Sequence, residues 1–369
     1  MTRKIIFALA ASLLLVGAGC LSLGGGAAPS ALGTFRSADK GETWGPISTL
    51  LTATGVKSLS QTSVYRLFTD PSDVNALYMA TRGQGLYFSY DRGDSWRSVP
   101  FLQGKFIYSL GVDSANKCLI YVTDGSNVYK SLDCTRTWNT VYLSQNGSRI
   151  AALALDYFNR GVLFAGLEDG TILQSINGGS SWRTTTSTGG ILRDLVADPQ
   201  VPGRFYLAKA SSGLFVSNDN GQSWDDASAG LRNFSESLTF YRLILDPSQK
   251  NSIYWLSKYG IFHSADAGKT WSDLKLVTAP GTVNIYNFAL NPKNPKELFY
   301  TGTIFSGQQA SDSFSLSSPP KISSSKLYKS IDGGATWFNR KLPSGAIPVN
   351  LLIYPDDPRV LFLGFTTAQ

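Results

Sequence analysis

Residues 37–44 read SADKGETW, and the same octapeptide pattern returns six more times along the chain. Every copy has serine first and tryptophan last, and six copies have glycine in the fifth position. Seven of the eight tryptophans of the chain occupy that last position, which excludes a chance recurrence. The copies begin at residues 37, 89, 131, 175, 217, 264 and 330, so five of the six intervals are 42 to 52 residues long. Such a period predicts a repeated supersecondary unit.

The residue types of the octapeptide predict a tight turn between two strands. Its third residue can accept hydrogen bonds from backbone N–H groups just ahead of it. Glycine in the fifth position adopts a positive φ without steric cost, although Thr135 replaces it in the third copy. The Ser/Thr hydroxyls can join the two arms, and tryptophan adds a large apolar contact. The third residues are Asp39, Asp91, Asp133, Asn177, Asp219, Asp266 and Asp332.

The stretches between copies have the alternation of short β-strands. Before the second copy, VYRLFTDP (64–71) and ALYMAT (76–81) precede GLYFSYD (85–91), and WRSVPF (96–101) follows. Apolar residues recur with a period of two, as a strand packed between neighbouring sheets requires. The Asp-Pro pair at residues 70–71 is a turn signal that ends the first strand. Each repeat therefore predicts four strands, and the chain is predicted to be all-β.

The octapeptide resembles the Asp-box, or BNR-type, repeat of sialidases, sortilin-type receptors, xyloglucanases and photosystem II assembly-factor propellers. The resemblance implies that each box is a structural turn between the third and fourth strands of a propeller blade. It also implies that the seven box residues bind no metal and take no part in catalysis. Seven boxes then imply a seven-bladed β-propeller of four-stranded antiparallel blades.

The two ends of the repeat region predict how the ring closes. Only one strand, ALGTFRS (31–37), precedes the first box, whereas VNLLIYPDDPRVLFLGFTT (349–367) follows the last repeat without a box of its own. Joined together, these segments make one complete blade. We therefore expect a propeller over residues 32–369, closed by two C-terminal and two N-terminal strands, which removes exposed sheet edges.

The N-terminus has the features of an export signal. Arg3 and Lys4 precede an apolar stretch from Ile5 to Val16, which is too short for a stable membrane span. The small residues that lead to Cys20 resemble a bacterial lipoprotein signal, although Gly17 stands where that family has leucine. We predict a signal peptide at 1–19, lipidation of Cys20 and a flexible tether over 20–31. The alternative is an ordinary secreted protein cleaved nearby. Either way the mature protein is expected outside the cytoplasm. The lipid-anchored form is expected on the outer side of the cytoplasmic membrane or on the outer membrane.

The composition excludes several functions. Hydrophobic residues make up 43% of the chain and charged residues 16%, so a large core can form. The 33 Lys and Arg residues exceed the 26 Asp and Glu residues without any run of five basic residues, so nucleic-acid binding is not expected. His263 is the only histidine, which excludes a multi-histidine metal site. No phosphate-binding glycine loop or CxxC pair is present. We expect a monomer without metal or cofactor.

Cys118 and Cys134 are predicted to form a disulfide. In a hairpin that turns near Gly125, residues whose numbers sum to about 250 face each other, so these two cysteines come close. Outside the cytoplasm such a pair oxidises. The bridge would support the box turn that lacks glycine, and the alternative is two free thiols.

Two columns of residues at the starts of the inner strands are candidates for partner binding. They belong to the face that carries the loops joining outer to inner strands, which we call the loop face; the boxes lie on the opposite box face. Aromatic and arginine side chains at the channel mouth suit a sugar or an extended peptide. The alternative is that the tyrosines pack between blades with only their hydroxyls in water. The candidates are Tyr65, Arg66, Tyr108, Arg193, Asp194, Tyr241, Arg242, Tyr286, Asn287 and Asn350.

These features favour a non-enzymatic binding or assembly scaffold for a protein or polysaccharide partner, attached to the membrane only by its lipid anchor. The loop face also carries the long 45–64 connection and the 303–325 insertion, either functional or disordered. The near-identical boxes leave the other face little individuality, so partner specificity is predicted on the loop face. The alternative is a glycoside hydrolase of sialidase or xyloglucanase type, which needs two carboxylates. Asp194 and Glu236 are the candidates for them.

Overall fold

A computed structural model describes residues 31–145, 147–306 and 321–367. They form seven four-stranded antiparallel sheets around a central channel, which confirms the predicted seven-bladed all-β propeller. We number the blades by the box that each carries, so blade 1 contains the box at residues 37–44. In every blade the box connects the third strand to the outermost strand.

The strands of blades 2 to 7 follow one another along the chain, from the channel outward. Blade 2 consists of Val64–Thr69, Leu77–Thr81, Leu86–Ser89 and Arg97–Ser98, and blade 3 of Ser109–Asp113, Asn116–Thr123, Asn127–Ser131 and Asn139–Leu143. Blade 4 consists of Ile150–Leu155, Leu163–Leu167, Thr171–Ser175 and Arg183–Ser187, and blade 5 of Leu192–Ala197, Phe205–Lys209, Gly213–Ser217 and Asp225–Asp226. Blade 6 consists of Phe240–Leu245, Ile253–Ser257, Ile261–Ser264 and Ser272–Asp273, and blade 7 of Asn284–Asn291, Asn294–Ser306, Lys321–Ser330 and Phe338–Lys341. Two short 3₁₀ helices, Pro100–Leu102 and Leu231–Asn233, lie between blades.

Blade 1 closes the ring with strands from both parts of the chain. From the channel outward it consists of Ile347–Ile353, Leu361–Thr366, Gly33–Ser37 and Gly45–Pro46. The Phe35 and Phe365 rings meet edge to face at 5.4 Å across the joining strands. Lys40 of box 1 adds an ion pair to blade 7, with its Nζ 2.8 Å from Oε1 of the buried Glu297. The predicted closure by two N-terminal and two C-terminal strands is confirmed.

Each box turn uses its acidic or amide side chain as a hydrogen-bond acceptor. In box 1 the Gly41 N–H donates to Ser37 Oγ at 2.8 Å, and the Thr43 N–H donates to Asp39 Oδ1 at 2.8 Å. The Thr43 hydroxyl donates to Asp39 Oδ2 at 2.5 Å. These bonds from Thr43 lower the pKa of Asp39 to about 2. The same pattern of bonds to the first serine recurs in the other boxes.

The box tryptophans connect neighbouring blades. Trp96 of blade 2 is fully buried, and its Nε1 donates to the Ile47 carbonyl of the preceding blade at 2.8 Å. The Trp182 and Trp271 indoles likewise donate to carbonyls of the blade before them, at 3.0 and 2.7 Å. The box therefore contributes to packing between blades as well as to its own turn.

A disulfide joins Cys118 and Cys134 in blade 3. Cys134 and Thr135 both have positive φ, at 56° and 73°, where the other boxes have glycine in the second of these places. A left-handed conformation costs a non-glycine residue about 1–2 kcal/mol. The disulfide thus constrains the one box turn that has two successive non-glycine residues with positive φ.

The two long segments of the loop face differ in structure. Residues 49–58 form a hairpin of Thr49–Thr52 and Gly55–Ser58. It lies beside the outer edge of blade 2, where the Leu51 N–H donates to the Trp96 carbonyl at 2.8 Å. The 45–64 connection therefore extends a blade instead of covering the channel. In blade 7 the middle strands extend past the other blades toward residues 307–320, which lie outside the described residues.

The predicted signal peptide, Cys20 and all of the tether except Ala31 also lie outside the described residues. Within the part of the chain that the structure describes, no helix has the length and apolarity needed to cross a membrane.

Candidate binding site at the channel mouth

The channel widens at the loop face into a cavity of about 900 Å³, which we call the mouth cavity. A smaller space of about 300 Å³ continues toward the box face, and Arg66, Asp194 and Arg242 border both spaces. The described residues that line the mouth cavity are Tyr65, Arg66, Arg82, Arg193, Asp194, Phe240, Tyr241, Arg242, Lys258, Gly281, Thr282, Asn284, Tyr286, Ile304, Phe305, Ile347, Val349, Thr366 and Thr367.

β-Bulges near the starts of the inner strands decide which side chains reach this cavity. In blades 2, 5 and 6 the register shifts by one residue at Tyr65, Arg193 and Tyr241. A bulge leaves its extra residue unpaired, bends the strand and re-aims the neighbouring side chains. As a result, each of these residues and the residue after it both line the cavity, whereas a regular strand would point them to opposite sides.

An ion pair spans the channel between blades 2 and 5. An Nη of Arg66 lies 3.4 Å from an Oδ of Asp194, and Asp194 is buried. Burial acts to lower the pKa of Arg66, but the attraction of Asp194 outweighs it, so the pKa is raised. The pair therefore lies where the mouth cavity meets the smaller inner space.

Two other arginines of the cavity lack an acidic partner among the described residues. Arg242 donates only to the Val349 carbonyl, at 3.3 Å. Burial and the neighbouring Arg66 lower the pKa of Arg242 to about 10, so it stays cationic at neutral pH. Arg82 lies over the Tyr65 ring at 5.7 Å, and its Nε is buried without a hydrogen-bond partner. Both guanidinium groups can accept an anionic ligand.

Two further cations at the rim of the mouth cavity each form an ion pair with a glutamate. Nη1 of Arg193 lies 2.6 Å from Oε1 of Glu168, and Nζ of Lys258 lies 2.7 Å from Oε1 of Glu236. With these two glutamates and Asp194 counted, five cations face three carboxylates, so the formal charge is 5 − 3 = +2. The surplus is carried by Arg82 and Arg242, which have no acidic partner among the described residues.

Aromatic rings form two groups around the mouth. Tyr241 and Tyr286 are 5.1 Å apart, and the Tyr241 hydroxyl donates to Asn284 Oδ1 at 2.8 Å. Burial raises the pKa of both tyrosines, so they stay neutral. On the other side Tyr65 meets Phe106 edge to face at 4.8 Å. The tyrosines thus pack on one another while Tyr65, Tyr241 and Tyr286 still reach the cavity.

Seven of the ten predicted site residues line the mouth cavity, and three do not. Tyr108 stacks on Phe106 at 4.2 Å, outside the lining. Asn287 is buried and donates to the Pro348 carbonyl at 2.6 Å, which is a structural contact. Asn350 borders the smaller inner space instead. These three residues therefore lie outside the lining of the mouth cavity, because strand pairing sets their side-chain directions, and their part in partner binding stays a prediction.

Sequence reasoning missed Arg82, Lys258 and Phe305. Arg82 and Lys258 each follow directly after the second strand of a blade, where the chain turns on the loop face. Phe305 lies at the end of the long second strand of blade 7. A search for basic residues directly after the second strands would have found the two cations.

The cavity offers limited means for hydrolysis. Asp194 is the one carboxylate among the described lining residues, and it is bonded to Arg66. Glu236 is exposed at the rim and paired with Lys258. Over the described parts of the chain no group of three or more His, Cys, Asp or Glu residues could hold a metal ion. Among the described residues, the lining thus provides several cationic hydrogen-bond donors and one carboxylate.

Several known proteins are similar to this chain in sequence or in structure. The model of the Sortilin-Vps10 family (sortilin, neurotensin receptor 3) matches residues 212–339. A xyloglucanase of a Paenibacillus species is 24% identical over 228 residues, which are 54% of this chain and 22% of that protein. The chain therefore spans about a fifth of the length of this relative.

Solved structures show the same fold. The GH74 xyloglucanase of Xanthomonas campestris has a TM-score of 0.63 at 17% identity, over 90% of this chain and 52% of that one. A structure of YCF48 bound to D1 peptide has a TM-score of 0.57 at 15% identity, over 83% of this chain and 92% of that one. The protein is a seven-bladed propeller similar to those of sortilin-type and xyloglucanase proteins.

Proposed function

We propose that this protein is an exported, membrane-tethered scaffold that holds an acidic segment of a protein or polysaccharide partner at the mouth cavity. The observation that carries the proposal is the pair of arginines, Arg82 and Arg242, that have no acidic partner among the described residues; the one carboxylate of the described lining, Asp194, is already bonded to Arg66. The similar YCF48 structure, which includes D1 peptide and consists almost wholly of one propeller, supports a binding role.

Physical chemistry favours a chain with carboxylates as the ligand. A guanidinium in a partly dehydrated cavity attracts a carboxylate more strongly than one in bulk water, because the local dielectric is lower. Tyr65, Tyr241 and Tyr286 supply rigid faces and hydroxyls on which a sugar ring or a peptide can pack. Binding should weaken with rising salt, since part of the attraction is electrostatic.

The second candidate is glycoside hydrolysis, which the similarity to xyloglucanases favours. Hydrolysis needs an acid and a second carboxylate flanking the scissile bond. In this chain Asp194 would have to serve as one of them although it is bonded to Arg66, and the relatives are about twice or more as long.

Binding to three probes tests the proposal: a poly-glutamate peptide, polygalacturonate and neutral xyloglucan oligosaccharide. We expect one or both acidic probes to bind and Arg82→Gln with Arg242→Gln to weaken binding about tenfold or more, which is about 1.4 kcal/mol. The matched control is Lys250→Gln with Lys269→Gln, two exposed cations outside the cavity, which should leave the dissociation constant within about twofold.

Asp194→Asn separates the two candidates because it acts in opposite directions. For the scaffold it frees Arg66, so acidic probes should bind more tightly. For a hydrolase it should abolish sugar release from xyloglucan. If the unchanged protein releases sugar and Asp194→Asn eliminates this release, the scaffold proposal is overturned. Equal binding of the acidic and neutral probes would also overturn it.

Export and anchoring are part of the same proposal. They are supported by Arg3 and Lys4 before the apolar stretch and by Cys20 after the small residues. Mass spectrometry of the N-terminal peptide from its native membrane should find a lipid-modified Cys20 as the first residue. Detection of a protein cleaved after residue 20 would favour the secreted alternative.

A further inference from the structure

A run of apolar side chains is exposed on the box face of blades 2 to 4, opposite the mouth cavity. The second residue of every box points to solvent, and in blades 1, 5 and 6 it is small or polar (Ala38, Asn218 and Ala265). In blades 2, 3 and 4 the same position carries Tyr90, Leu132 and Ile176. Leu132 and Ile176 are 62% and 66% exposed. Blade 7 has an isolated fourth case, Ile331.

The turn after the inner strand of blade 4 adds two aromatic side chains to this run. Where blades 2, 5 and 6 have a proline directly after the aspartate of that turn, blade 4 has Tyr157, followed by Phe158. Both rings are exposed, Phe158 by 47%. We call Tyr90, Leu132, Tyr157, Phe158 and Ile176 the box-face arc.

Contacts between turns make the arc one surface. Asp73, in the turn after the inner strand of blade 2, pairs with Lys117 of blade 3 at 3.0 Å. Lys130, directly before box 3, donates to the Gly178 carbonyl of box 4 at 2.8 Å. The Gly178 N–H donates to Gly161 of the turn that carries Phe158, at 2.9 Å. A contiguous exposed apolar surface of this kind is typical of an interaction site.

Two arginines that form no salt bridge among the described residues lie beside the arc. Arg136 in box 3 and Arg160 in the blade 4 turn are exposed, and neither forms a salt bridge within the described residues. Of the nearby carboxylates, Asp73 pairs with Lys117 at 3.0 Å, whereas Asp133 keeps its negative charge and directs both oxygens to the hydrogen bonds of its own turn. A partner that covers the arc should therefore present carboxylates around an apolar strip.

We propose that the box-face arc docks a partner protein that presents an apolar strip flanked by acidic residues. The aromatic and leucine side chains supply the buried contact, and the two arginines orient the partner and exclude basic surfaces. A second copy of the chain is a poorer fit because it would bring the same cations to the contact. Ala31 and Thr367, where the described residues end, lie on the loop face, and no described residue covers the arc. The propeller thus has two separate binding faces.

Fluorescence polarisation with two synthetic peptides tests the proposal. One is an amphipathic helix of about 20 residues with leucines on one face and flanking glutamates; the other has lysines in place of the glutamates. The acidic peptide should bind, less tightly as salt increases, and the basic peptide should not. Leu132→Asp with Ile176→Asp should weaken binding about tenfold or more. The matched control, Asn218→Asp with Ala265→Asp at the same box position of blades 5 and 6, should bind as the unchanged protein does.

Charge reversal gives a second, independent result. Arg136→Glu with Arg160→Glu should shift the preference from the acidic to the basic peptide. Because all these positions are exposed, unchanged melting temperatures will show that the variants fold. Equal binding of both peptides, or no binding of the acidic peptide, overturns the proposal.

Two further outcomes would overturn the proposal and assign the box-face arc to a different partner. In the first, the protein sediments with anionic phosphatidylglycerol vesicles, the aspartate variants do not, and the acidic peptide does not bind. That result would assign the arc to a lipid surface. A dimer in sedimentation velocity that the same variants dissociate would assign it to a second copy. Neither outcome touches the mouth cavity, so the proposed function is tested separately.

Discussion

The charged aspartates of the boxes have a structural role, because they accept the hydrogen bonds of their own turns. Side-chain and backbone hydrogen bonds from the threonine of the same turn lower the pKa of Asp133 and Asp332 to about 2, as for Asp39. In box 4 Asn177 makes the equivalent contacts, since its Oδ1 accepts the Ser181 N–H at 2.9 Å. The turn therefore needs an acceptor in the third position, and the negative charge strengthens its bonds.

These pKa values predict how stability depends on acid. A carboxyl whose folded-state pKa is lowered stabilises the folded state above its unfolded pKa, and this contribution is lost as pH falls toward the folded pKa. The melting temperature should therefore fall between about pH 4 and pH 2. Asp39→Asn with Asp133→Asn and Asp332→Asn should flatten that fall in calorimetric scans, since the amide does not titrate. An unchanged pH profile in the triple variant would show that the box carboxylates are not responsible.

At the scale of one element, the hairpin of blade 3 has a disulfide bond at the box turn that lacks the usual glycine. Its box turn has two successive non-glycine residues with positive φ, Cys134 and Thr135. The disulfide links residues 16 positions apart. A bridge that closes a loop of about 15 residues stabilises a protein by about 3 kcal/mol.

Removal of the bridge should therefore weaken blade 3. Cys118→Ala with Cys134→Ala should lower the free energy of unfolding by about 2–3 kcal/mol in denaturant titrations. Adding Thr135→Gly should return about 1 kcal/mol, because glycine adopts the positive φ without strain. Non-reducing peptide mapping of the exported protein should find the two cysteine peptides linked. Two free, alkylated thiols there would contradict the bridge.

For the whole molecule, closure of the ring depends on a few residues far apart in the chain. The second C-terminal strand, Leu361–Thr366, is fully buried between the first C-terminal strand and Gly33–Ser37. Its Leu361, Leu363 and Phe365 belong to the core between blades 7 and 1. Without this strand the N-terminal strand has no inner neighbour, and two sheet edges become open.

Deletion of residues 347–369 should therefore open the ring. Loss of buried Leu or Phe side chains costs about 2–5 kcal/mol each, and with an unfolding entropy of ~2.1 cal/mol/K per residue 1 kcal/mol shifts the melting temperature by roughly 1.5 °C in a domain of this size. We expect the melting temperature to fall by more than about 10 °C with loss of cooperativity. A truncated protein that melts like the full mature chain would contradict the closure by blade 1.

Local and periodic signals were enough to predict the architecture. The box turn is encoded within eight residues, and each strand by a period of two, so blade number, strand order and the shared closing blade could be predicted without tertiary information. The cysteine pair could also be placed, because Cys118 and Cys134 belong to one hairpin whose register follows from its turn.

Only the tertiary structure decided which side chains the loop face and the box face present. Bulges at Tyr65, Arg193 and Tyr241 turn pairs of neighbouring residues into the mouth cavity, and a bulge has no reliable signal in one sequence. The Arg66–Asp194 pair joins residues 128 positions apart across the channel. The sequence suggested a uniform box face, whereas the assembled turns of blades 2 to 4 form the box-face arc. Repetition determines a ring from the sequence alone, but the chemistry of its faces arises where different blades meet, and that depends on how the ring closes in space.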